Sequence, residues 1–489
     1  MTEEQKKSVY AQFAATAAFG RLKPADPGDP GYFPEFNDLK SGNFNQSQEA
    51  EERENRRGGP DRGFRLPQEQ EPEKVLLLGL DFRRPEGQLS PAASLAELAR
   101  LTETAGGIVA ESLLVKRERP DPAHYVGKGK VEEINGLIKE KALDLVIVDD
   151  ELSVRQQLKL DQQLECPVID RSALILQIFA DHARTSEGKL QVELAQLSYL
   201  LPRLTGKGKS LSRLGGGIGT RGPGETQLEK DRRHIRRRIE TLKKEMEGVK
   251  KQRFNIRQRR RRNRLPVLAL VGYTNAGKST LLNKLTDSDV LAEDKLFATL
   301  DPSTRLCSLN GINALLTDTV GFIQRLPHSL ITAFRATLEE ALYSDVLLCV
   351  ADASDPELSA QLRTVRQVLE EIGCRDKKMI HVFNKIDLVE DPVELGGFLT
   401  EHQPAVLISA ATGQGLEELR QVIMENLPDP PVKVRFLLHQ KDGAVLNLFY
   451  REGIVSQLEY LGEEISGQAI LPGALAEKYK EFLTEEGGR

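Results

Sequence analysis

A glycine-rich loop lies between an apolar run and an apolar helical segment in "LPVLALVGYTNAGKSTLL". The run Val267–Val271 is typical of a buried strand, and the pattern Gly272-x-x-x-x-Gly277-Lys278-Ser279 follows it directly. In this order, the backbone N–H groups of residues 275–280 can surround the β- and γ-phosphates of a nucleotide. Lys278 would neutralise phosphate charge, and the Ser279 hydroxyl would bind Mg²⁺. The predicted phosphate-binding residues are Gly272, Tyr273, Thr274, Asn275, Ala276, Gly277, Lys278 and Ser279.

A carboxylate and a glycine follow a second apolar run, in "LLTDTVGF". Asp318 ends the predicted strand, and Gly321 stands three residues later. Asp318 can hold Mg²⁺ through a water molecule, and the Gly321 N–H can meet the γ-phosphate. The segment predicted to contact the nucleotide is Asp318, Thr319, Val320 and Gly321.

Two further motifs predict which base is bound. "IHVFNKIDL" supplies Asn384, Lys385, Ile386 and Asp387, and "AVLISAATGQG" supplies Ser409, Ala410 and Ala411. The Asp387 carboxylate can accept two hydrogen bonds from the N1–H and 2-amino groups of guanine, while the Ala410 N–H can donate to O6. Adenine lacks those donors, and binding it would leave buried polar groups unpaired. The predicted ligand is therefore GTP.

The four motifs together resemble the guanine-nucleotide-binding domains of translation-factor-like GTPases. That resemblance implies that "FATLDPSTR" is the first switch, in which Thr299 completes the Mg²⁺ shell beside Ser279 when GTP is bound; ordinary loop polarity at Thr299 is the alternative. It also implies catalytic roles for Lys278, Thr299 and Gly321. The implied switch residues are Phe297, Ala298, Thr299, Leu300 and Asp301.

One position departs from the common pattern. Many GTPases place a glutamine directly after the Asp-x-x-Gly motif to orient the attacking water, and here that residue is Phe322. Phenylalanine cannot orient water, so slow intrinsic hydrolysis follows as a hypothesis, with acceleration by a partner. Asn275 resembles the asparagine of GTPases that recruit K⁺ in place of an arginine finger.

The chain of 489 residues is too long for a single core and predicts several domains. The polar composition of residues 1–74 predicts a disordered extension. Alternating apolar runs and helical periodicities then predict a small parallel α/β domain over 75–172. The P-loop GTPase domain spans 265–430, and a small α+β domain follows at 431–489. The predicted fold class is multidomain α/β.

Residues 173–264 predict an antiparallel helical hairpin. Apolar residues recur every three or four positions in two segments, the period of a coiled-coil seam. They are Leu190, Leu194, Leu197 and Leu201 in the first segment, and Ile235, Ile239, Leu242, Met246 and Val249 in the second.

The loop between those helices, Thr205–Glu225, carries "LGGGIGTRGPGET", which matches the dinucleotide pattern G-x-G-x-x-G at Gly217, Gly219 and Gly222. A dinucleotide loop follows a buried strand, whereas this one follows a polar, basic segment. Pro223 and Gly224 are also expected to exclude a helix start immediately after the third glycine. We therefore predict a slim cationic tip suited to folded RNA; a merely disordered connection is the alternative.

Charge is distributed unevenly along the chain. Residues Lys230–Arg264 contain 17 Lys or Arg and 4 acidic residues, a net charge of +13, so the remainder carries −18 against the total of −5. A basic stripe on an acidic protein indicates a local polyanion contact, and a solvated helix face is the alternative. No apolar run reaches the about 18–20 residues of a membrane helix, and the N-terminus lacks a signal-peptide core. With four scattered cysteines, these features favour a cytoplasmic protein.

The domain order and several motifs resemble the GTPase HflX family over about residues 75–489. The motifs that carry the resemblance are "YVGKGK", "DRSALILQIFADHARTSEGKLQVELAQLSYLLPRL", the glycine loop, "DRRHIRRRI" and "GYTNAGKST…FATLDPSTR…DTVGF". The resemblance implies a GTPase that binds the large (50S-type) ribosomal subunit, reaches its rRNA with the hairpin tip, and splits stalled ribosomes in the GTP-bound state. Hydrolysis would then release it. Nothing in the sequence implies an oligomer, so a monomer is expected.

Two other functions remain open from the sequence. One is a ribosome-assembly or RNA-remodelling factor that uses GTP hydrolysis as a timer. The other is a tRNA-modification GTPase, which would favour a C-terminal catalytic cysteine, and residues 431–489 contain no cysteine.

Overall fold

The computed structural model describes residues 72–82, 88–204, 223–262, 265–286, 296–297, 302–309, 312–325 and 338–484. Three sheets organise these residues. The predicted extension up to residue 71, the hairpin tip at 205–222 and the switch residues 298–301 lie outside the described residues. The domain boundaries stay predictions, while the multidomain α/β fold class is confirmed.

The N-terminal sheet is parallel, with the strand order β2-β1-β3-β4. Its strands are β1 (Lys74–Asp81), β2 (Ile108–Lys116), β3 (Leu145–Val148) and β4 (Val168–Asp170). The helices between and after them are α1 (Pro91–Thr104), α2 (Lys128–Lys141), α3 (Val154–Gln163) and α4 (Arg171–His182).

Successive residues of β1 pack on opposite faces of this sheet, as side chains of a strand must. Val75 and Leu77 join the core that includes α1 and α4, while Leu76 and Leu78 join the core that includes α2 and α3. Because both faces are covered by helices, β1 is apolar throughout rather than alternating.

The predicted hairpin consists of α5 (Ser186–Arg203) and α6 (Pro223–Arg262). Two ion pairs show the relative direction of the helices: Arg238 pairs with Glu193, and Arg253 pairs with Glu187. Residue numbers therefore rise along α6 in the direction in which they fall along α5. The predicted α6 seam is buried at Leu242. The helices are therefore antiparallel, as the sequence indicates.

The face of α5 that is fully buried differs from its leucine seam. Val192, Ala195 and Tyr199 are buried, and they belong to the core of the N-terminal sheet. The four seam leucines are only partly buried. The reason is that α5 packs on two sides at once, against α6 and against the N-terminal part of the chain.

One sequence argument about the hairpin was wrong. Pro223 and Gly224 do not exclude a helix start, because α6 begins at Pro223. Proline is compatible with the first helical position, where its missing N–H would have no intrahelical partner. The other argument against a dinucleotide loop is confirmed: the segment before the loop is the helix α5, not a strand.

The GTPase sheet has the order β10-β9-β8-β5-β7-β6, in which only β6 is antiparallel to its neighbour. Its strands are β5 (Val267–Gly272), β6 (Ser303–Leu309), β7 (Ile312–Asp318), β8 (Val346–Asp352), β9 (Met379–Asn384) and β10 (Ala405–Leu407). The associated helices are α7 (Lys278–Thr286), α8 (Leu358–Glu371), α9 (Gly396–Glu401) and α10 (Leu416–Glu425). All the parallel strands end at one edge, which is where ligands bind in such sheets.

The C-terminal sheet is antiparallel, with the order β12-β13-β11-β14. Its strands are β11 (Pro431–His439), β12 (Ile454–Leu461), β13 (Glu464–Pro472) and β14 (Leu483–Thr484), and its helices are α11 (Gly443–Glu452) and α12 (Gly473–Lys478). Phe436 and Phe449 form the centre of its core. Among the described residues of the whole chain, no helix is both long and apolar enough to cross a membrane.

A buried ion-pair cluster lies between α1, β3 and α4. Arg171 is 2% exposed and pairs with Glu97 and, at 2.7 Å, with Asp149. The Ser94 hydroxyl donates to the other Asp149 oxygen at 2.7 Å. One guanidinium thus pairs with two buried carboxylates, and removing it would take the closest positive charge from both.

Replacing Arg171 with methionine should lower the free energy of unfolding by about 3–5 kcal/mol, measured by chemical denaturation. Burial already raises the pKa of Glu97, and loss of Arg171 would raise it further. The deficit should therefore shrink at acidic pH, where that carboxyl takes a proton in both folded and unfolded states. The exposed Arg155→Met variant serves as control and should change stability by about 0.5 kcal/mol or less. Equal losses in the two variants would contradict the role of the cluster.

Candidate nucleotide-binding site

The loop between β5 and α7 can adopt its path only with glycine at two positions. Gly272 has φ +150°, and a Cβ there would collide with the Val350 carbonyl oxygen. Gly277 has φ +89°, and a Cβ there would collide with the Asn384 side-chain amide. The glycines of the sequence motif therefore allow the loop to pass directly against β8 and β9.

Lys278 is held at the centre of this loop. It is 7% exposed, and its ammonium donates to the carbonyl oxygens of Gly272 at 3.2 Å and Tyr273 at 2.7 Å. Burial lowers the pKa of Lys278 to about 8, and the nearby Asp318 carboxylate opposes that shift. The group is a buried ammonium held by two carbonyl oxygens of the loop.

Ser279 and Asp318 meet at the ends of α7 and β7. The Ser279 hydroxyl donates to Asp318 Oδ2 at 2.8 Å, and Asp318 is fully buried. Next to them, the Thr319 hydroxyl donates to the Leu270 carbonyl at 2.6 Å and fixes the start of the following segment. A hydroxyl and a carboxylate at this distance are the oxygen donors that Mg²⁺ prefers.

The segment after Asp318 pairs with the phosphate loop through its backbone. The Phe322 N–H donates to Gly272 O at 3.0 Å, and the Thr274 N–H donates to Phe322 O at 2.8 Å. A Cβ at Gly321 would lie 2.9 Å from Thr274 Cγ2 and 3.1 Å from Lys278 Nζ. Gly321 therefore stands directly beside the loop and its lysine, as the sequence predicts for a γ-phosphate contact.

Asn384 joins the phosphate loop to the motif that contains Ser409. Its amide nitrogen donates to Ala276 O at 2.8 Å, and its amide oxygen accepts from the Ala410 N–H at 2.8 Å. The Ala410 N–H, which the sequence assigned to guanine O6, is thus already engaged. The N–H of Ala411 has no hydrogen-bond partner among the described residues.

The residues predicted to read the base follow β9. Lys385 has φ +65°, and its ammonium pairs with Asp352 at 2.7 Å. The Ile386 N–H donates to Ile408 O at 3.2 Å, which fixes the turn that carries Asp387. Asp387 is exposed, so its carboxylate is accessible to a ligand at the edge of the sheet.

Of the five residues predicted to form the first switch, the structure describes only Phe297. Phe297 is 3% exposed, and its ring packs edge-on against Phe179 of α4 with centroids 4.6 Å apart. Its side chain is therefore a packing residue, and only its backbone remains available to a nucleotide. Ala298, Thr299, Leu300 and Asp301 lie outside the described residues.

Tyr273 connects the phosphate loop to the N-terminal part of the chain, which sequence reasoning missed. Its hydroxyl donates to Glu97 Oε1 at 2.6 Å and accepts from the Gln324 N–H at 3.0 Å. The Gln324 side chain in turn accepts from the Leu89 N–H at 3.1 Å. Glu97 and Tyr273 are 176 positions apart, and Glu97 sits in an ordinary amphipathic helix, so no local pattern in the sequence signals this link.

Replacing Tyr273 with phenylalanine should test the link with almost no change in shape. It leaves a Glu97 oxygen and the Gln324 N–H buried without this partner, at a cost of about 1–3 kcal/mol. We expect a lower denaturation midpoint and weaker GTP binding, because the phosphate loop loses a fixed contact. Tyr343→Phe, at an exposed ring, is the matched control. Unchanged stability and unchanged GTP affinity in Tyr273→Phe would contradict the inferred role.

Comparisons with known proteins agree with this geometry. Three family models match the chain: a GTP-binding GTPase N-terminal region at residues 92–180, a GTP-binding GTPase middle region at 182–260, and a 50S ribosome-binding GTPase at 267–385. A solved structure, SsGBP in complex with GDP, is 28% identical over 72% of this chain and 98% of that chain, with a TM-score of 0.43.

Curated relatives match most of the chain. GTPase HflX of Lacrimispora saccharolytica is 49% identical, covering 82% of this chain and 94% of that protein. GTPase HflX of Caldanaerobacter subterraneus subsp. tengcongensis is 46% identical over 80% and 90%, respectively. GTPase HflX of Escherichia coli is 42% identical over 77% and 89%. With the phosphate loop, Asp318 and Asn384 brought to one sheet edge, these matches show that the chain belongs to the GTPase HflX family.

Proposed function

We propose that this protein hydrolyses GTP to GDP and phosphate in a Mg²⁺-dependent reaction and binds the large ribosomal subunit. The observation that carries the first part is the convergence of four distant motifs at one sheet edge. Lys278 lies within the phosphate loop, Gly321 stands beside it, and Asn384 ties that loop to the base-reading motifs. This arrangement can hold a triphosphate at one end and a purine at the other.

Guanine selection rests on Asp387, whose exposed carboxylate can accept from both N1–H and the 2-amino group. The donor to guanine O6 is less obvious, because the Ala410 N–H predicted for this role already donates to the Asn384 side chain. We propose that Ala411 supplies the N–H for O6, alone or with Ala410. Both follow the same strand, so either donor approaches the same edge of the base.

Ser279 and Asp318 suit Mg²⁺ as a hydroxyl and a buried carboxylate that already contact each other. Ser279 would bind the ion directly, Asp318 would hold it through water, and Thr299 would complete the shell. When bound, Mg²⁺ would neutralise the charge of the β- and γ-phosphates. A role for K⁺ beside Asn275 stays a prediction.

Intrinsic hydrolysis should be slow, because no glutamine is free to orient water next to Gly321. Phe322 is 1% exposed and belongs to the core. The nearest glutamine, Gln324, is 6% exposed, and its side chain accepts from the Leu89 N–H. Acceleration must therefore come from groups that a partner or another part of the chain supplies.

The basic helix α6 supports contact with ribosomal RNA. The stretch Lys230–Arg264 carries a net charge of +13, and Arg233, Arg236 and Arg237 are exposed on its first half. A family model described as a 50S ribosome-binding GTPase matches residues 267–385. We propose that the GTP-bound protein splits stalled or stress-damaged ribosomes and that hydrolysis releases it; a ribosome-assembly or RNA-remodelling factor with a GTPase timer is the second candidate.

Replacing Asp387 with asparagine should lower GTP affinity by about 100-fold or more, because one of the two side-chain oxygens that accept from guanine is replaced by an NH₂ group, which donates. The same change should raise affinity for xanthosine triphosphate, which carries an oxygen in place of the 2-amino group. Competition binding with both nucleotides measures this. The nearby exposed Glu390→Gln is the control and should bind GTP normally. Undiminished GTP affinity in Asp387→Asn would refute the assigned base contact.

Neutralising Arg233, Arg236 and Arg237 to glutamine should weaken large-subunit binding about tenfold or more and reduce its salt dependence. Sedimentation of assembled ribosomes with a non-hydrolysable GTP analogue measures both binding and splitting. The control removes the same charge from exposed Arg363, Arg366 and Arg375. Intact ribosomes with the unaltered protein would favour the timer function, and equal effects of the two triple variants would argue against an RNA contact by α6.

A further inference from the structure

A cavity open to solvent lies where helix α1 meets the phosphate loop. Glu97 and Arg100 line it from α1, and Thr274 and Asn275 line it from the loop. Leu296, from the residues predicted to precede the first switch, lies at the same cavity. The N-terminal part of the chain thus contributes side chains to the immediate surroundings of the phosphate-binding loop.

The carboxylates of this cavity already have partners. Glu97 accepts from Tyr273 and pairs with Arg171. Asp352 pairs with Lys385 at 2.7 Å, and Asp355 accepts from the Gln361 side chain at 2.8 Å. Each of these carboxylates therefore has an ion-pair or hydrogen-bond partner other than Arg100, while the nearby Arg100 charge also opposes the rise that burial causes in the pKa of Glu97.

Arg100 is a cationic residue of this cavity whose side chain can contact a ligand. Arg100 is exposed, and among the described residues its guanidinium makes no hydrogen bond and no ion pair. The position of its backbone is nevertheless fixed, because Leu98 and Leu101 on either side are fully buried in the core. The Glu97–Tyr273 hydrogen bond, one turn earlier on α1, fixes the distance between this helix and the phosphate loop.

The loop residues opposite Arg100 also carry unused polar groups. Thr274 is 7% exposed, and its hydroxyl has no hydrogen-bond partner within the described part of the chain. Asn275 has φ +61°, a backbone conformation that non-glycine residues seldom adopt without a reason. Both belong to the loop whose N–H groups face the β- and γ-phosphates. A guanidinium at this place can donate to two phosphate oxygens at once.

We propose that Arg100 completes the triphosphate site in cis: when GTP is bound, its guanidinium donates to oxygens of the γ-phosphate beside Thr274 and Asn275. The inference rests on the proposed GTP hydrolysis and adds a catalytic residue from outside the GTPase domain. During hydrolysis, water attacks the γ-phosphorus, the bond to the β–γ bridging oxygen breaks, and GDP and phosphate leave. Arg100 stabilises the charge that grows on the transferring group and on the leaving oxygen.

This assignment accounts for a feature of the site that is otherwise unexplained. Phe322 and Gln324 cannot orient water, so the reaction depends on electrostatic stabilisation. Within the GTPase domain, the cations assigned to the phosphates are Lys278, Mg²⁺ and, as a prediction, K⁺ beside Asn275. Arg100 provides a second fixed cation from α1, and it does so only while α1 is docked on the phosphate loop.

Single-turnover GTP hydrolysis by the full-length Arg100→Ala variant tests the proposal. We expect the rate to fall about 10- to 100-fold, while affinity for GDP, which lacks the γ-phosphate, changes by about twofold or less. Arg100→Lys should recover part of the rate, because it keeps the charge but loses the two-pronged contact. Arg155→Ala, an exposed arginine on α3 outside the cavity, should hydrolyse GTP normally. A thermal melt should be unchanged in all three, since both arginines are exposed.

Several results would overturn it. An unchanged rate in Arg100→Ala, or an equal loss in Arg155→Ala, removes Arg100 from the reaction. If the rate of Arg100→Ala is unchanged, and K⁺ accelerates both this variant and the unaltered protein relative to Na⁺, then K⁺ rather than Arg100 stabilises the charge of the transferring phosphate. Equal losses of GDP and GTP affinity make Arg100 a general nucleotide contact rather than a γ-phosphate residue. If the unaltered protein neither binds nor hydrolyses GTP, the proposed function itself fails, and that outcome is visible before any variant is measured.

Discussion

The Glu97 carboxylate is buried, and a buried carboxylate is stable only while donors compensate it. Here the donors come from two places: Arg171, in the N-terminal part, and the Tyr273 hydroxyl, in the phosphate loop. Separating the two parts of the chain would remove one donor and expose the shared core that contains Leu98, Phe179 and Phe322. The position of α1 and the position of the phosphate loop are therefore coupled by one interaction that neither part can satisfy alone.

The same coupling reaches the segment that is proposed to contact the γ-phosphate. Gln324 follows Gly321 by three residues, and it contacts Tyr273 through its N–H and Leu89 through its side chain. Arg325, the next residue, pairs with Asp150 at the end of β3. A movement of Gly321 toward a γ-phosphate would therefore shift the hydrogen bonds of Gln324 and the ion pair of Arg325. Because the same contacts hold the N-terminal domain against the phosphate loop, nucleotide binding and the docking of that domain would be linked.

The sequence predicted what depends on residues close together in the chain. The strand–loop–helix around Lys278, the carboxylate at Asp318 and the parallel sheet of the N-terminal domain follow from local patterns, and the structure shows the same arrangement. It did not predict what depends on partners far apart. Helix α5 buries Val192, Ala195 and Tyr199 because it meets a domain that its own periodicity does not reveal. Phe297 packs on Phe179 for the same reason. Arg100 and Arg155 are both helical arginines in the sequence, and only the docking of α1 distinguishes them.

The basic helix α6 contacts the GTPase domain near its C-terminal end. Arg253 of α6 pairs with Glu187 on α5 and, at 3.5 Å, with Glu340, which belongs to the part of the GTPase domain that follows the Asp318 and Gly321 motif in sequence. A polyanion that binds α6 competes for such arginines or shifts the helix that carries them. Either effect changes the stability of a contact with the GTPase domain, and a contact that differs between two states is what linkage between two sites requires. By reciprocity, a nucleotide that alters the environment of Glu340 alters the affinity of α6 for its partner by the same factor. The proposed RNA contact of α6 and the proposed GTP site would thus be parts of one equilibrium rather than two independent functions on one chain.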